Sequence, residues 1–343
     1  MEKAKVKPTG KSSGPKFTIT EARFLDADAA REYLEAKRWP DGAVCPHCGV
    51  IGEATKLEMQ AESKKGTHAR KGVWKCKACE KQFSVTIGTI FEDSHIPLNK
   101  WLHAFHLLCA SKKGMSAHQL HRMLGITYKS AWFMAHRIRY AMSQEPLSSK
   151  LTGTIEVDET YVGGKRKTGK QGYQWSASGR PKPKPKANSW IDNKAPVVSV
   201  LQRGGRVQSM HVERVTSENL KPIIKEMVDE SAHLMTDSGT VLHFASKEVR
   251  KHDKVNHKAG EYVRYEDGVC ITTNAIEGFF GLLKRGINGV YHHVGKQHLH
   301  RYLSEFDFRY NAREVSDVER ARLALSGADG KRLMLRDSCT KEG

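Results

Sequence analysis

Residues 153–164, Gly-Thr-Ile-Glu-Val-Asp-Glu-Thr-Tyr-Val-Gly-Gly, constrain the fold of this chain more tightly than any other stretch. Thr154, Ile155, Val157, Tyr161 and Val162 make the run strand-like, yet it carries Glu156, Asp158 and Glu159, residues a sheet normally excludes. Two environments accommodate such a strand. One is a sheet edge with a wet polar face. The other is a site for a hard cation, because Mg²⁺ or Mn²⁺ is held by one or two carboxylates on rigid backbone while keeping water and phosphate oxygens. The second environment requires further carboxylates elsewhere in the chain.

Two downstream segments offer them. His233-Leu-Met-Thr-Asp-Ser-Gly239 is an apolar run that ends in Asp237 at a turn-forming Ser-Gly, which places this carboxylate at the tip of a strand. Residues 272–285, Thr-Thr-Asn-Ala-Ile-Glu-Gly-Phe-Phe-Gly-Leu-Leu-Lys-Arg, begin a helix on which Lys284 lies two turns beyond Glu277 on the same face. Asn274-Ala-Ile-Glu277 also fits a capping box, in which Glu277 would bond back to the backbone of Asn274. Glu159, Glu261, Glu266 and Asp267 are assigned to the surface.

Cysteine spacing supplies the second constraint. Cys45-Pro-His-Cys48 and Cys76-Lys-Ala-Cys79 form two Cys-x-x-Cys turns separated by residues 49–75. Each such turn aims two thiolates at one tetrahedral ion, so the four read as a structural Zn²⁺ ribbon, with an extended loop around Ser63-Lys-Lys-Gly66. A disulfide framework does not suit a reducing compartment, and His47 reads as a turn residue. Cys109, Cys270 and Cys339 read as ordinary thiols.

Charge identifies the class of partner. In 343 residues, 57 Lys and Arg face 38 Asp and Glu, a net charge of +19. Such an excess implies a polyanion, and the chain lacks the roughly 18 consecutive apolar residues of a spanning helix. The start, basic and polar with no apolar segment, carries no signal peptide, which predicts a cytoplasmic, nucleoid-associated protein. Residues 116–142 read as helix, tight turn, helix: Ala117, Leu120 and Leu124 line the first, Gly125 stops it, and Thr127 caps a second from Tyr128. This is helix-turn-helix spacing, with Lys129, His136, Arg137 and Arg139 available to DNA, although a plain helical hairpin reads the same way. Ahead of it, residues 20–37 form an amphipathic helix, and a helix from about Lys100 turns Trp101, Leu102, Phe105, Leu108 and Cys109 to the core. Between Gly163 and Lys194, Lys165-Arg-Lys167 and Pro181-Lys-Pro-Lys-Pro-Lys186 mark a basic insert suited to following a phosphate backbone. Residues 196–201 and 207–212 read as strands joined through Gly204-Gly205, followed by a helix from Glu218 to about Ala232.

Together these motifs, with the closing His298-Leu-His-Arg-Tyr-Leu-Ser-Glu-Phe-Asp-Phe-Arg-Tyr-Asn-Ala-Arg313, resemble a bacterial insertion-sequence transposase. More narrowly, the chain is similar to the group named for insertion sequence fifteen-ninety-five, in which a zinc ribbon precedes a DDE-type catalytic domain. The resemblance covers roughly residues 20–315. It implies an α+β multidomain protein: a basic tail (1–19), N-terminal helix and ribbon (20–95), helix-turn-helix region (96–146), ribonuclease-H-like mixed-sheet domain (147–315) with the insert at 163–194, and a C-terminal tail (316–343). It implies Asp158, Asp237 and Glu277 as the catalytic acids holding Mg²⁺ or Mn²⁺, Lys284 and Arg285 as DNA contacts, and double-stranded DNA as partner, bound by a homo-oligomer. Some members carry Asn in the third place, which keeps Asn274 open there. The expected chemistry is cleavage by an in-line water and joining by the freed 3′-OH, with two ions about 3.5–4 Å apart on the attacking and leaving oxygens. It needs no covalent intermediate, and Tyr161, the nearest rival nucleophile, reads as packing. A zinc-ribbon DNA-binding regulator would need no acids, and a structure-selective nuclease would cut without joining.

Overall fold

The computed structural model describes residues 20–57, 71–143, 150–163, 173–175, 181–183, 194–237 and 249–338. The first helical stretch is two helices, α1 (Ala22–Leu25) and α2 (Ala27–Arg38), because Asp26 leaves helical geometry and its carboxylate accepts from the Ala29 amide at 2.8 Å. The ribbon follows as an antiparallel sheet of β1 (Ala54–Lys56), β2 (Val73–Cys76) and β3 (Gln82–Ser84). The expected loop around Ser63 lies outside the described residues. Helix α3 (Leu98–Ala110) buries Trp101, Leu102, Phe105, Leu108 and Cys109, the face its spacing predicts. Helices α4 (Ala117–Leu124) and α5 (Tyr128–Met142) are joined by a turn in which Gly125 is left-handed at φ 58° and Thr127 caps the Ser130 amide. Ribbon and helices do not separate at residue 95: Phe24, Leu34, Trp39, Cys45, Cys76, Phe83, Trp101, Phe105, Leu120 and Ile138 belong to one continuous core.

The second half is built on a five-stranded mixed sheet. Its strands are β4 (Thr154–Val162), β7 (Ala195–Gln202), β8 (Val207–His211), β9 (His233–Asp237) and β10 (Lys251–Val255), ordered β10-β9-β4-β7-β8. Strand β7 runs antiparallel to both β4 and β8, whereas β9 runs parallel to both β4 and β10. The acidic strand is therefore central, and the wet-edge alternative is excluded. Within the basic insert, β5 (Tyr173–Trp175) pairs with β6 (Pro181–Pro183); Lys165, Arg166, Lys167, Lys184 and Lys186 lie outside the described residues.

Parity along β4 decides what each face meets. Ile155 and Val157, with Val198 and Val200, pack under Leu220, Ile224 and Met227 of α6 (Ser217–Met227), which Thr216 caps. Val162, Val197 and Leu201 pack instead under Phe279, Leu283, Leu303 and Phe306 from α7 (Asn274–Gly286) and α8 (Leu299–Asn311). A hairpin of β11 (Val263–Glu266) and β12 (Val269–Thr272) leads into α7. Helix α8 also covers edge strand β8: Asp307 accepts from the Ser209 amide and hydroxyl, each at 2.7 Å, and Asn311 bonds both backbone groups of Val207.

Residues 317–329 are not a free tail. Helix α9 (Asp317–Ser326) returns to the first core, where Ala324 and Ala328 are buried and Arg38 pairs with Asp329 at 2.7 Å. The small residues let α9 lie close on α3, a contact no local pattern in residues 316–343 announces.

Candidate active site and zinc ribbon

Two hydrogen-bonded knuckles bring the ribbon cysteines together. The Cys45 amide bonds the Val50 carbonyl at 3.0 Å and the Cys76 amide the Lys81 carbonyl at 3.1 Å. The residue after each second cysteine is left-handed, Gly49 at φ 78° and Glu80 at φ 57°. Cys45 and Cys79 sulfurs are 3.6 Å apart, as are those of Cys48 and Cys76, and all four lie within 4.8 Å of one another. A tetrahedral ion about 2.3 Å from each sulfur would ask for separations of about 3.8 Å, so the set fits Zn²⁺. Burial opposes ionisation of Cys45, but the amides of His47 and Cys48 together with hydrogen bonds from the Cys48 and Cys79 thiols outweigh it and bring the thiol down to about 6. The His47 ring turns to the Gln82 carbonyl and away from the sulfurs.

The acids arrive from three elements. Parallel pairing of Val157 with Thr236 makes Asp158 on β4 and Asp237 at the tip of β9 the next residues on neighbouring strands. Helix α7 brings Glu277 over β4. Burial pushes Asp158 up to about 8, and the charges of Glu159, Asp237 and Glu277 push the same way, against the Glu159 amide that donates to its Oδ1 at 2.8 Å. Glu159, expected at the surface, is partly buried and also raised, first by burial and then by Asp237. The acids thus share one field. Among the described residues, however, the cysteines are the only group of three or more His, Cys, Asp or Glu whose ligand atoms lie within 4.8 Å of one another.

The capping box at α7 does not form as expected. Helix α7 starts at Asn274 with Thr273 as its N-cap, and Thr272 Oγ1 takes the Asn274 amide at 3.2 Å. Glu277 is left to accept from Thr273 Oγ1 at 3.2 Å and to meet His257 Nε2 at 3.0 Å. Asn274, Lys284 and Arg285 are exposed. Lys284 joins Glu159, Tyr161 and Lys194 around a cleft of about 320 Å³ beside the acids.

Two of the expected DNA contacts are corrected. Arg137 is 5% exposed and donates to the Leu333 carbonyl at 3.1 Å, while Arg139 is 2% exposed and bonds Glu305 of α8 at 2.6 Å. Arg309 and the Tyr291 hydroxyl hold the same carboxylate. Burial by itself would raise Glu305, but the two guanidiniums outweigh it and hold it below its ordinary value. His136 is fully buried against Trp132, His298 and Tyr302. Helix α8 and the segment after α9 cover this half of α5, and only its first turn, with Tyr128 and Lys129, is exposed.

Residue reading assigned no role to Glu156, which is fully buried, or to Arg203, its partner at 2.9 Å. The available signal was parity: Glu156 lies on the same face of β4 as Asp158, two residues away.

Comparison with known proteins bears on the whole. Residues 150–311 match the family described as the ISXO2-like transposase domain, and residues 25–82 match the transposase zinc-ribbon domain. The chain thus carries a transposase domain and a transposase zinc ribbon. It is 25% identical over 295 residues to an uncharacterized protein in transposable element ISH50 of Halobacterium salinarum (strain ATCC 700922 / JCM 11081 / NRC-1), covering 83% of this chain and 91% of that one. A looser likeness, 10% identical with a TM-score of 0.22, covers 61% of the chain and 56% of a protein in the Drosophila P element transposase strand transfer complex, and carries no argument. No described helix is long and apolar enough to cross a membrane.

Proposed function

We propose that the protein binds the ends of an insertion sequence and catalyses metal-dependent DNA cleavage and strand transfer, with Asp158, Asp237 and Glu277 holding Mg²⁺ or Mn²⁺. One observation carries this reading: three carboxylates distant in sequence are brought around the central strand β4, where burial first and then their charges lift Asp158 to about 8. Such an arrangement is costly for an apo fold and suits a strong counter-charge. The sheet order, three antiparallel strands followed by two parallel ones on the far side of the first, supports a ribonuclease-H-like domain.

In this reading the chain's own residues position and select. Asp158 and Asp237 sit on hydrogen-bonded strands, so their carboxylates move little relative to each other. Glu277 comes from a packed helix, with Thr273 and His257 orienting it. Bound divalent ions would polarise the scissile phosphate and activate the attacking oxygen. Lys284 and Lys194, lining the adjacent cleft, would take the phosphates of the strand being cut, and Arg285 a neighbouring one. Tyr128 and Lys129, at the exposed start of α5, replace Arg137 and Arg139 as the residues a helix-turn-helix would present to DNA.

Labelled element ends incubated with the protein in Mg²⁺ should be cleaved and joined to a second duplex, and EDTA should stop both. Cleavage without joining would make the protein a nuclease. Glu277→Gln should lower cleavage by about 10²-fold or more, and Asn274→Ala should leave it near wild type, since Asn274 neither caps α7 nor is buried. The reverse pattern would make Asn274 the third ligand.

A further inference from the structure

We infer that the Glu156–Arg203 pair is a positioning device that holds all three acids in register. The inference rests on the reading of Asp158, Asp237 and Glu277 as the metal-holding set. Glu156 divides its two oxygens between two elements. Its Oε2 accepts from the Ile276 amide in the first turn of α7 at 2.9 Å, and its Oε1 accepts from Arg203 Nε at 3.0 Å. Arg203 sits in the turn between β7 and β8, and its other nitrogens fan out across the same layer. Nη1 donates to the Cys270 carbonyl at 2.9 Å, and Nη2 to the Thr272 carbonyl at 3.1 Å and to Met235 Sδ at 3.0 Å.

Every acid is therefore close along the chain to an atom this pair grips. Glu156 precedes Asp158 by two residues on one face of β4, Met235 precedes Asp237 by two on β9, and Ile276 immediately precedes Glu277 on α7. Thr272 is the last residue of β12 and adjoins Thr273, the α7 N-cap. Together the two side chains link β4, β9, β12 and α7. The rigid fork of arginine suits this work, since lysine would offer one point charge in place of several fixed donors.

Stability does not explain the pair. A buried carboxylate–guanidinium pair recovers little beyond its own desolvation, and apolar residues of similar volume often serve the fold as well. What it supplies is geometry at a place where the acids repel one another and no cysteine-like knuckle fixes them. The strands hold Asp158 and Asp237 locally, and the Glu156 carboxylate links the start of α7, and so Glu277, directly to β4 by a side-chain hydrogen bond.

The test uses the full chain with Glu156→Met/Arg203→Met together, Arg203→Lys alone, and Asp158→Asn as a control. Four quantities are read: melting temperature, affinity for a labelled element-end duplex, the Mn²⁺ concentration that half-saturates the rise in melting temperature, and the cleavage rate. The double variant should fold and bind duplex within about twofold of wild type. Its half-saturating Mn²⁺ should rise at least about tenfold and its cleavage fall about 10²-fold, the loss that a displacement of about 1 Å produces. Arg203→Lys should shift both in the same direction by a smaller factor, and it decides the matter should the double variant fail to fold. A purely structural pair would lower the melting temperature while leaving Mn²⁺ dependence and cleavage within about threefold of wild type, and that result overturns the inference. Normal cleavage by Asp158→Asn would instead remove the underlying reading of the acids.

Discussion

The four cysteines of the ribbon converge on one another, whereas the three acids of the sheet share a field without converging. The ribbon draws its ligands from two short turns whose backbone hydrogen bonds aim each pair of sulfurs, so its geometry is written into a few neighbouring residues. The acidic site takes one carboxylate each from β4, β9 and α7, and each added carboxylate raises the cost of ionising the next. A site of the first kind carries its own scaffold. A site of the second kind borrows one, here the Glu156–Arg203 pair beneath it, and is correspondingly exposed to changes in residues that never touch a ligand.

The sharpest break in this comparison comes from the acids themselves. Asp158→Asn or Asp237→Asn should reduce cleavage by about 10³-fold or more while duplex affinity stays within about twofold, because these carboxylates would act on the metal ions and not on a DNA groove. Retained cleavage in gel assays of both variants would show that the shared field has no catalytic purpose.

Cys76→Ser probes the other side. Zinc per chain should fall well below one, and because binding free energy is folding free energy in such modules, the loss should amount to several kcal/mol. Since ribbon and α3 share a core, hydrogen exchange should accelerate in α3 as well as in residues 40–90. A change confined to the ribbon would mean that it is a self-sufficient module after all.

A smaller effect distinguishes structural from DNA-facing cations. Arg139→Met should cost about 3–5 kcal/mol of stability by leaving Glu305 short of a partner in the core, measured by denaturant unfolding. Lys129→Ala should leave stability nearly unchanged and lower the salt slope of DNA binding by about one unit. An Arg139 variant of normal stability with weakened DNA binding would restore the original sequence expectation.

A further effect is a pH dependence measured in EDTA. The folded-state value of Asp158, about 8, lies above its ordinary 3.8, so the folded protein binds the extra proton and loses stability as pH rises from about 4 to about 8. Asp158→Asn removes that loss. The variant should melt above wild type at pH 8, with the difference closing toward pH 4; a difference independent of pH would place the destabilisation elsewhere.

Much of this molecule was determined by the sequence itself wherever the information is short in range. Two Cys-x-x-Cys turns suffice to bring four sulfurs together, Thr127 and Gly125 bracket α5 and α4, and the apolar spacing of α3 states which side is inward. Strands β7 and β8 were legible for the same reason, as runs of β-branched residues around a Gly-Gly turn. Tertiary structure alone decided which charges face water. Arg137 and Arg139 occupy a helix that reads as basic and accessible, yet Glu305, 166 residues beyond Arg139, closes over the second of them. The return of α9 to the first core was hidden likewise, because alanines mark a close contact without naming the surface they meet. Glu156 shows the division within one strand. Its neighbours identify β4 and its parity aligns it with Asp158, but whether a carboxylate there meets water, a metal or a helix amide depends on what folds onto that face. The Ile276 amide that meets it comes from 120 residues away.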